Sequence, residues 1–129
     1  MSREILTIDD ITLLVDSFYA KIRADELLSN IFNNVIQDRW PEHLQKMYRF
    51  WQTVLLDEHT YYGSPFAPHA KLEIEKKHFQ RWLMLFHATV DDLFEGDRAE
   101  EAKLRSNKMA EMFQYKIEYN KATNIKPIQ

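Results

Sequence analysis

DEHTYYGSPFAPHAKL, residues 57–72, is the segment that decides how the rest of the chain is organised. Gly63, Pro65 and Pro68 fall within six positions of it, and such a concentration of turn-forming residues predicts an irregular connection. The whole chain has only two glycines and four prolines, so long stretches on both sides contain no residue that breaks a helix. The sequence therefore predicts helices before and after this segment.

Upstream of the segment, the first helix is predicted at residues 8–23, because apolar residues recur there at the spacing of one helical face. These apolar residues are Ile11, Leu14, Val15, Phe18 and Ile22. Thr7 and Asp10 form a potential N-terminal cap for this helix. A short helix is expected at residues 25–32, and the sequence NNVIQD at 33–38 predicts a loop after it.

A third helix is predicted at residues 38–57, with a wide apolar face that includes one histidine. Downstream of the irregular segment, a long helix is expected at 73–94, ended by Gly96, and the last helix at 98–121. The polar residues 122–129 predict a frayed tail. The pattern indicates an all-α fold.

The length and composition indicate one globular domain over residues 1–129, with a core at about 8–121. Basic and acidic residues, 17 and 20 in number, are interspersed along the chain. No basic stripe therefore favours a nucleic-acid partner or a membrane surface, and no apolar run approaches the length of a membrane span. The N-terminal sequence shows no secretory signal pattern and the chain has no cysteine, so we expect a cytoplasmic protein.

The chemistry-bearing residues are few. Without cysteine there is no thiolate nucleophile or ligand, and two isolated glycines cannot form a phosphate-binding loop. The five histidines lie at positions 43, 59, 69, 78 and 87, and no two of them are four residues apart. This spacing does not favour a zinc site carried by one helix, so each histidine must be considered singly. His59 and His87 are expected to be exposed to solvent.

A single histidine can hold haem iron as an axial ligand, because the porphyrin supplies the other four nitrogens. Such a site needs an apolar slot, and aromatic residues make up 13% of this chain. His69, next to Pro68, is one candidate ligand, and His43 lies on an aromatic-rich helix face. From spacing alone, His69 could equally be a loop histidine exposed to water.

Five stretches in the same order resemble the truncated haemoglobins, and within them group III. They are FYAKIR at 18–23, IFNN at 31–34, the stretch from Trp40 and His43 to the FW pair at 50–51, YYGSPFAPH at 61–69 and HFQRWLMLF at 78–86. The resemblance covers nearly the whole chain. It implies a shortened globin fold, with helices layered two on two around a non-covalently bound haem b.

The resemblance also implies roles for individual residues. His69 corresponds to the proximal iron ligand. On the distal side, Tyr19 corresponds to the tyrosine of the first long helix, Trp82 to the pocket tryptophan, and His43 to a histidine that often acts as a gate. These three are expected to contact the gas ligand.

Trp82 and five further residues are expected to contact the haem itself. Phe32 corresponds to a phenylalanine packed against the haem face, and Phe50 and Trp51 are expected to contact the haem as well as the core. Met47 occupies a distal position where the group more often has a branched aliphatic residue. Lys46 occupies the position of a basic partner for a haem propionate.

The function implied by this resemblance is the binding of O₂, NO and CO, for gas scavenging or redox chemistry rather than bulk oxygen transport. A peroxidase or NO dioxygenase activity stays open, and turnover would need an external reductase. The alternative is a globin-like sensor or interaction module that makes no productive use of haem. We expect a monomer or a weak dimer.

Overall fold

Five helices follow one another along the chain. The structure is a computed structural model, and it describes residues 3–63 and 74–125, with side chains as far as residue 119. The helices are α1 (Ile8–Ala24), α2 (Ser29–Ile36), α3 (Trp40–Leu56), α4 (Lys76–Leu93) and α5 (Asp97–Ile125). Within those two ranges the only extended pairing is a single bridge between Arg3 and Phe94. The prediction of an all-α fold is confirmed.

Local sequence explains where most of the helices begin. Thr7 is the N-cap of α1, and its backbone N–H donates to the Asp10 carboxylate over 3.1 Å, as expected. Pro41 lies in the first turn of α3, where backbone N–H groups have no partner within the helix. The missing N–H of proline therefore costs no helical hydrogen bond there. Gly96 has a φ of +96°, which favours glycine, and α5 starts directly after it. This last helix continues to Ile125, past the end predicted at residue 121.

The start of α2 differs from the prediction of a helix over 25–32, because the helix begins only at Ser29. The Asp25 carboxylate accepts hydrogen bonds from the backbone N–H groups of Leu27, over 3.1 Å, and Leu28, over 3.0 Å. An aspartate that bonds to the backbone two and three residues onward stabilises a turn in competition with a helix. Residues 26–28 are accordingly a turn.

The end of α2 shows that the predicted loop at 33–38 is wrong, since its first four residues are helical. The side chain of Asn33 accepts a hydrogen bond from the Trp40 indole N–H over 3.2 Å, and Ile36 is buried. These tertiary contacts outweigh the loop preference of two consecutive asparagines. The helix ends at Gln37, whose φ of 56° turns the chain towards α3.

The helices form two pairs, α1 with α3 and α4 with α5, which are joined by packing of α1 on α4. A large cluster of buried side chains lies among α1, α3 and α4, and a smaller one between α4 and α5. Among the described residues, no helix combines the length and apolar character needed to cross a membrane. The space between the two clusters contains the candidate site.

Candidate functional site

A cavity of about 590 Å³ is bordered by residues of both buried clusters. Pockets for small molecules and cofactors are about 300–1,000 Å³ in volume and mostly apolar. This cavity fits that description, because aromatic and aliphatic side chains form most of its lining. Helices α1 to α5 all contribute to its walls.

All of the predicted site residues within the described part of the chain line this one cavity. They are Tyr19, Phe32, His43, Lys46, Met47, Phe50, Trp51 and Trp82. The predicted proximal ligand, His69, lies outside the described residues. Positions that are far apart in sequence are therefore brought together around one cavity.

The sequence interpretation missed the contribution of α2 to the cavity lining. Ile31, Val35 and Ile36 line the cavity together with Leu28, in the turn before α2, and Phe32. Their spacing of three and four residues is the repeat of one helical face, so this signal was available in the sequence. The two asparagines at 33 and 34 obscured it.

Four side chains form a continuous surface that we call the aromatic wall: Phe18, Tyr19, His43 and Trp82. The Phe18 ring contacts Tyr19 and Trp82 edge to face, at centroid distances of 5.0 and 5.4 Å. The rings of Tyr19 and His43 are perpendicular, with centroids 5.1 Å apart. Because the Phe18 ring contacts both, the side chains of Tyr19 and Trp82 are neighbours in the cavity lining.

Two polar hydrogens of the aromatic wall have no hydrogen-bond partner among the described residues: the Tyr19 O–H and the Trp82 indole N–H. Tyr19 is only 7% exposed, and burial raises the pKa of its hydroxyl well above the ordinary value. The hydroxyl therefore stays protonated at neutral pH and can donate. Buried tyrosine and tryptophan side chains normally find a partner, so the wall is suited to a polar ligand in the cavity.

Trp82 is held by a stack of three rings. Phe86, 1% exposed, lies between Trp51 and Trp82, at centroid distances of 5.0 and 5.6 Å. The Trp82 and Phe86 rings are almost parallel, with an interplanar angle of 5°. This stack fixes the plane of the Trp82 indole.

Trp40 is buried and its ring packs against that of Tyr19. Their ring centroids are 5.7 Å apart. The Trp40 indole N–H donates a hydrogen bond to Asn33 Oδ1 over 3.2 Å. The Arg23 guanidinium lies 4.6 Å from the Trp40 ring centroid. Trp40 therefore contributes to the burial of Tyr19, and its own ring makes a cation–π contact with the exposed Arg23.

Two cations lie at the mouth of the cavity, and we call them the cationic rim: Lys46 and Arg49. Both are exposed, and neither makes an ion pair within the described chain. Arg39 also lines the mouth, but its guanidinium donates to the carbonyl groups of Ile36 and Val35. Arg49 was not predicted, although its spacing of three residues from Lys46 places both on one helix face.

The chain after α3 is attached to the cavity wall before the described part is interrupted. The Thr53 hydroxyl accepts the backbone N–H of Thr60 over 3.1 Å and that of Tyr61 over 3.0 Å. The Tyr61 ring then packs on Phe50, with centroids 5.4 Å apart. Residue 63, also at the cavity, is the last one described before the segment that contains His69.

The other three histidines have structural surroundings. His59 is exposed, as predicted. His78 lines the cavity, and its Nδ1 accepts the Glu75 backbone N–H over 2.8 Å at the start of α4. The expectation of an exposed His87 is wrong, because it is half-buried with its Nε2 2.9 Å from Asn107 Oδ1.

Comparison with known proteins decides the family. The family model of bacterial-like globins matches residues 6–117. The chain is also 32% identical over 118 residues to a group 3 truncated haemoglobin of Campylobacter jejuni. The aligned region covers 88% of this chain and 93% of that protein. This chain belongs to the group III truncated haemoglobins.

The fold of this truncated haemoglobin agrees with that assignment. The crystal structure of a group III truncated haemoglobin from Campylobacter jejuni matches it with a TM-score of 0.83 at 31% identity. The match covers 91% of this chain and 95% of the other. The predicted truncated globin fold is therefore confirmed.

Globins bind small gas ligands at a haem, so family membership indicates haem-based ligand binding for this truncated haemoglobin. The described residues fit such a cofactor. An apolar cavity with many aromatic side chains matches the faces of a porphyrin, and the cationic rim matches its carboxylate edge. The two polar hydrogens of the aromatic wall remain for a ligand.

Proposed function

We propose that this truncated haemoglobin holds haem b in the cavity, with His69 as the proximal iron ligand, and binds O₂, NO and CO at the aromatic wall. Bound haem supplies the iron atom that accepts a diatomic ligand. One observation carries the proposal: Tyr19 and Trp82 border the cavity beside Phe18, and their polar hydrogens have no partner among the described residues.

The aromatic wall would act by hydrogen bonding. A diatomic ligand that gains partial negative charge on binding is stabilised by donors already aimed at it. Tyr19 can donate throughout the neutral pH range, because burial raises its hydroxyl pKa. The surrounding rings exclude water, which strengthens each hydrogen bond by lowering the local dielectric constant.

His43 has two possible roles at this wall. It is half-buried and its ring contacts both Tyr19 and Trp40. In one role it joins the donors, and in the other it swings outward to admit the ligand. Met47, one turn further along α3, lines the same cavity, and its flexible thioether would set the free space there.

Several donors slow ligand release, which suits gas scavenging or redox chemistry better than bulk oxygen transport. We place this activity in the cytoplasm, with electrons supplied by an external reductase when turnover is required. A steady-state assay of peroxide or NO consumption with a reductase present separates turnover from simple binding. Consumption no faster than without the protein would contradict a redox role.

The cofactor assignment is tested by the absorption spectrum. We expect a Soret band in the purified protein, lost in His69→Ala and partly restored by added imidazole, which replaces the missing ligand. His59→Ala is the matched control, because His59 is exposed and does not line the cavity. A colourless protein that ignores added haemin would favour the sensor or interaction module instead.

The donor assignment is tested by O₂ release measured with stopped flow. Tyr19→Phe and Trp82→Phe should each raise the off-rate on the order of tenfold, because each removes one hydrogen bond to a charged acceptor. Tyr115→Phe is the control, since Tyr115 is 70% exposed on α5. Unchanged off-rates in both cavity variants would refute the donor roles.

A further inference from the structure

An ion pair with one buried partner, Asp25, lies at the corner where α1 ends. Arg81 of α4 donates to the same oxygen of Asp25 from Nε, over 2.7 Å, and from Nη2, over 2.6 Å. The Asp25 side chain is 3% exposed and that of Arg81 43%. The two residues are 56 positions apart, so the pair joins distant parts of the chain.

The second oxygen of Asp25 holds the turn that leads into α2. It accepts the backbone N–H groups of Leu27 and Leu28, over 3.1 and 3.0 Å. Leu28 is almost fully buried and lines the cavity. One carboxylate therefore fixes α4 and a cavity-lining turn relative to the end of α1.

Arg81 directly precedes Trp82, which lines the cavity and whose indole N–H makes no hydrogen bond in the described chain. Ring contacts with Phe86 and Phe18 hold the indole in its plane, but the burial of apolar surface is not directional. Hydrogen bonds are directional. The bonds from Arg81 to Asp25 therefore supply a constraint on this turn of α4 that the ring contacts lack.

We propose that the Asp25–Arg81 pair is a positioning element of the gas pocket, which fixes Trp82 against Phe18 and holds Leu28 in the cavity wall. The effect on Trp82 orientation is independent of the ligand. The effect on gas release rests on the proposed function, because it requires Trp82 to donate to the bound gas.

A second ion pair, which joins α1 to α4 directly, provides a matched control. Lys21 of α1 lies 3.1 Å from Asp92 of α4, and both partners are more exposed than Asp25. Asp92 is ten residues beyond Trp82 and does not line the cavity. If any link between α1 and α4 sufficed, loss of the Lys21–Asp92 pair would have the same effect.

The first experiment follows the Trp82 indole by NMR in the CO-saturated, diamagnetic protein, with its signal assigned by loss in Trp82→Phe. Arg81→Gln should broaden the Trp82 signal and weaken the nuclear Overhauser effect between Trp82 and Phe18, and Arg81→Lys should do so less. Asp92→Asn should change neither. The Trp40 signal is the internal reference, because its N–H is bonded to Asn33.

The second experiment measures the O₂ off-rate in a double-mutant cycle. Arg81→Gln should raise the rate about fivefold in the wild-type background, through partial loss of one hydrogen bond, and leave it unchanged in the Trp82→Phe background. Arg81→Lys retains the charge and keeps the test available if Arg81→Gln does not fold.

The outcomes separate the two proposals. An unchanged Trp82 signal in both Arg81 variants, or equal changes in Asp92→Asn, would overturn the positioning role. An equal rise of the off-rate in both backgrounds would also contradict it, because the effect would not pass through Trp82. If Trp82→Phe alone leaves the off-rate unchanged, the donor role of Trp82 fails, while the NMR result still decides the positioning role.

Discussion

The aromatic wall and the cationic rim border the same cavity but are held in place in different ways. Phe18 and Tyr19 of the wall are buried, His43 and Trp82 are half-buried, and Trp82 is stacked on the 1% exposed Phe86. Lys46 and Arg49 of the rim are exposed and make no ion pair in the described chain. The wall is therefore formed when the chain folds, whereas the rim can be ordered only by what it binds.

We therefore expect the wall to determine the stability of the fold and the rim to determine how tightly the cofactor is retained. Changes in the wall should reduce the stability of the protein and alter the pocket together, because the wall is continuous with the large buried cluster. Changes in the rim should weaken retention of a bound carboxylate and leave the fold intact. Four variants test this distinction, at Phe86 in the core behind the wall, at Asp25, and at the two residues of the rim.

The largest effect is expected at the centre of the ring stack. Phe86→Ala leaves a cavity between Trp51 and Trp82 and should lower the free energy of unfolding by about 3–5 kcal/mol. Urea denaturation checks this. Met84→Ala on the same helix, where Met84 is 50% exposed, should change stability by less than about 0.5 kcal/mol. Similar losses in both variants would show that the stack is not a special part of the core.

An intermediate effect is expected for acid stability, which depends on Asp25. Burial would raise the Asp25 pKa, but hydrogen bonds from Arg81, Leu28 and Leu27 and the charge of Arg81 outweigh it and hold the pKa below 3.8. Because the Asp25 pKa is lower in the folded state than in the unfolded state, the ionised carboxylate stabilises the fold at pH values above its unfolded-state pKa. This stabilisation is lost as the pH falls through the folded-state pKa.

Urea midpoints measured from pH 6 down to pH 2 test this expectation. Asp25→Asn should lower stability near neutral pH by about 1–3 kcal/mol, since it removes the charged partner of Arg81. The variant should also lose less stability than the wild type as the pH falls. Asp10 has a lowered pKa as well, so part of the acid dependence should remain. Parallel curves for wild type and variant would contradict the role of Asp25.

The smallest effect is expected at the cationic rim. Lys46→Gln and Arg49→Gln should each raise the rate of haem transfer to apomyoglobin about two- to fivefold, the range for an exposed ion pair. The difference should shrink in high salt, because exposed charges are screened. Arg105→Gln, an exposed position on α5 away from the cavity, is the control. A large loss of stability in either rim variant would remove the distinction between wall and rim.

The course of the long helices could be predicted from the sequence, because periodicity and the scarcity of glycine and proline are local signals. The start of α1 at Ile8 and the Thr7 cap agree with the prediction. The course of α2 could not be obtained in the same way. Its limits depend on the Asp25 turn and on the hydrogen bond between Trp40 and Asn33, which are not encoded in a repeat of three or four residues.

The candidate site was only partly accessible from the sequence. Tyr19, His43 and Trp82 were singled out through resemblance to the truncated haemoglobins, since no spacing relates three residues on different helices. The Asp25–Arg81 pair carried no signal, because single charged residues 56 positions apart are not distinguished from other surface charges. For Arg49 a local signal exists, its spacing of three residues from Lys46 on one helix face.

The placement of the tryptophans has an optical consequence. Trp51 and Trp82 line the cavity, and Trp40 contacts Tyr19, so all three tryptophans of the chain are within or next to the site. A porphyrin absorbs in the wavelength range where tryptophan emits. Excitation energy from every indole would therefore pass to a bound cofactor, and the ultraviolet fluorescence of the protein would report directly how much of it is loaded.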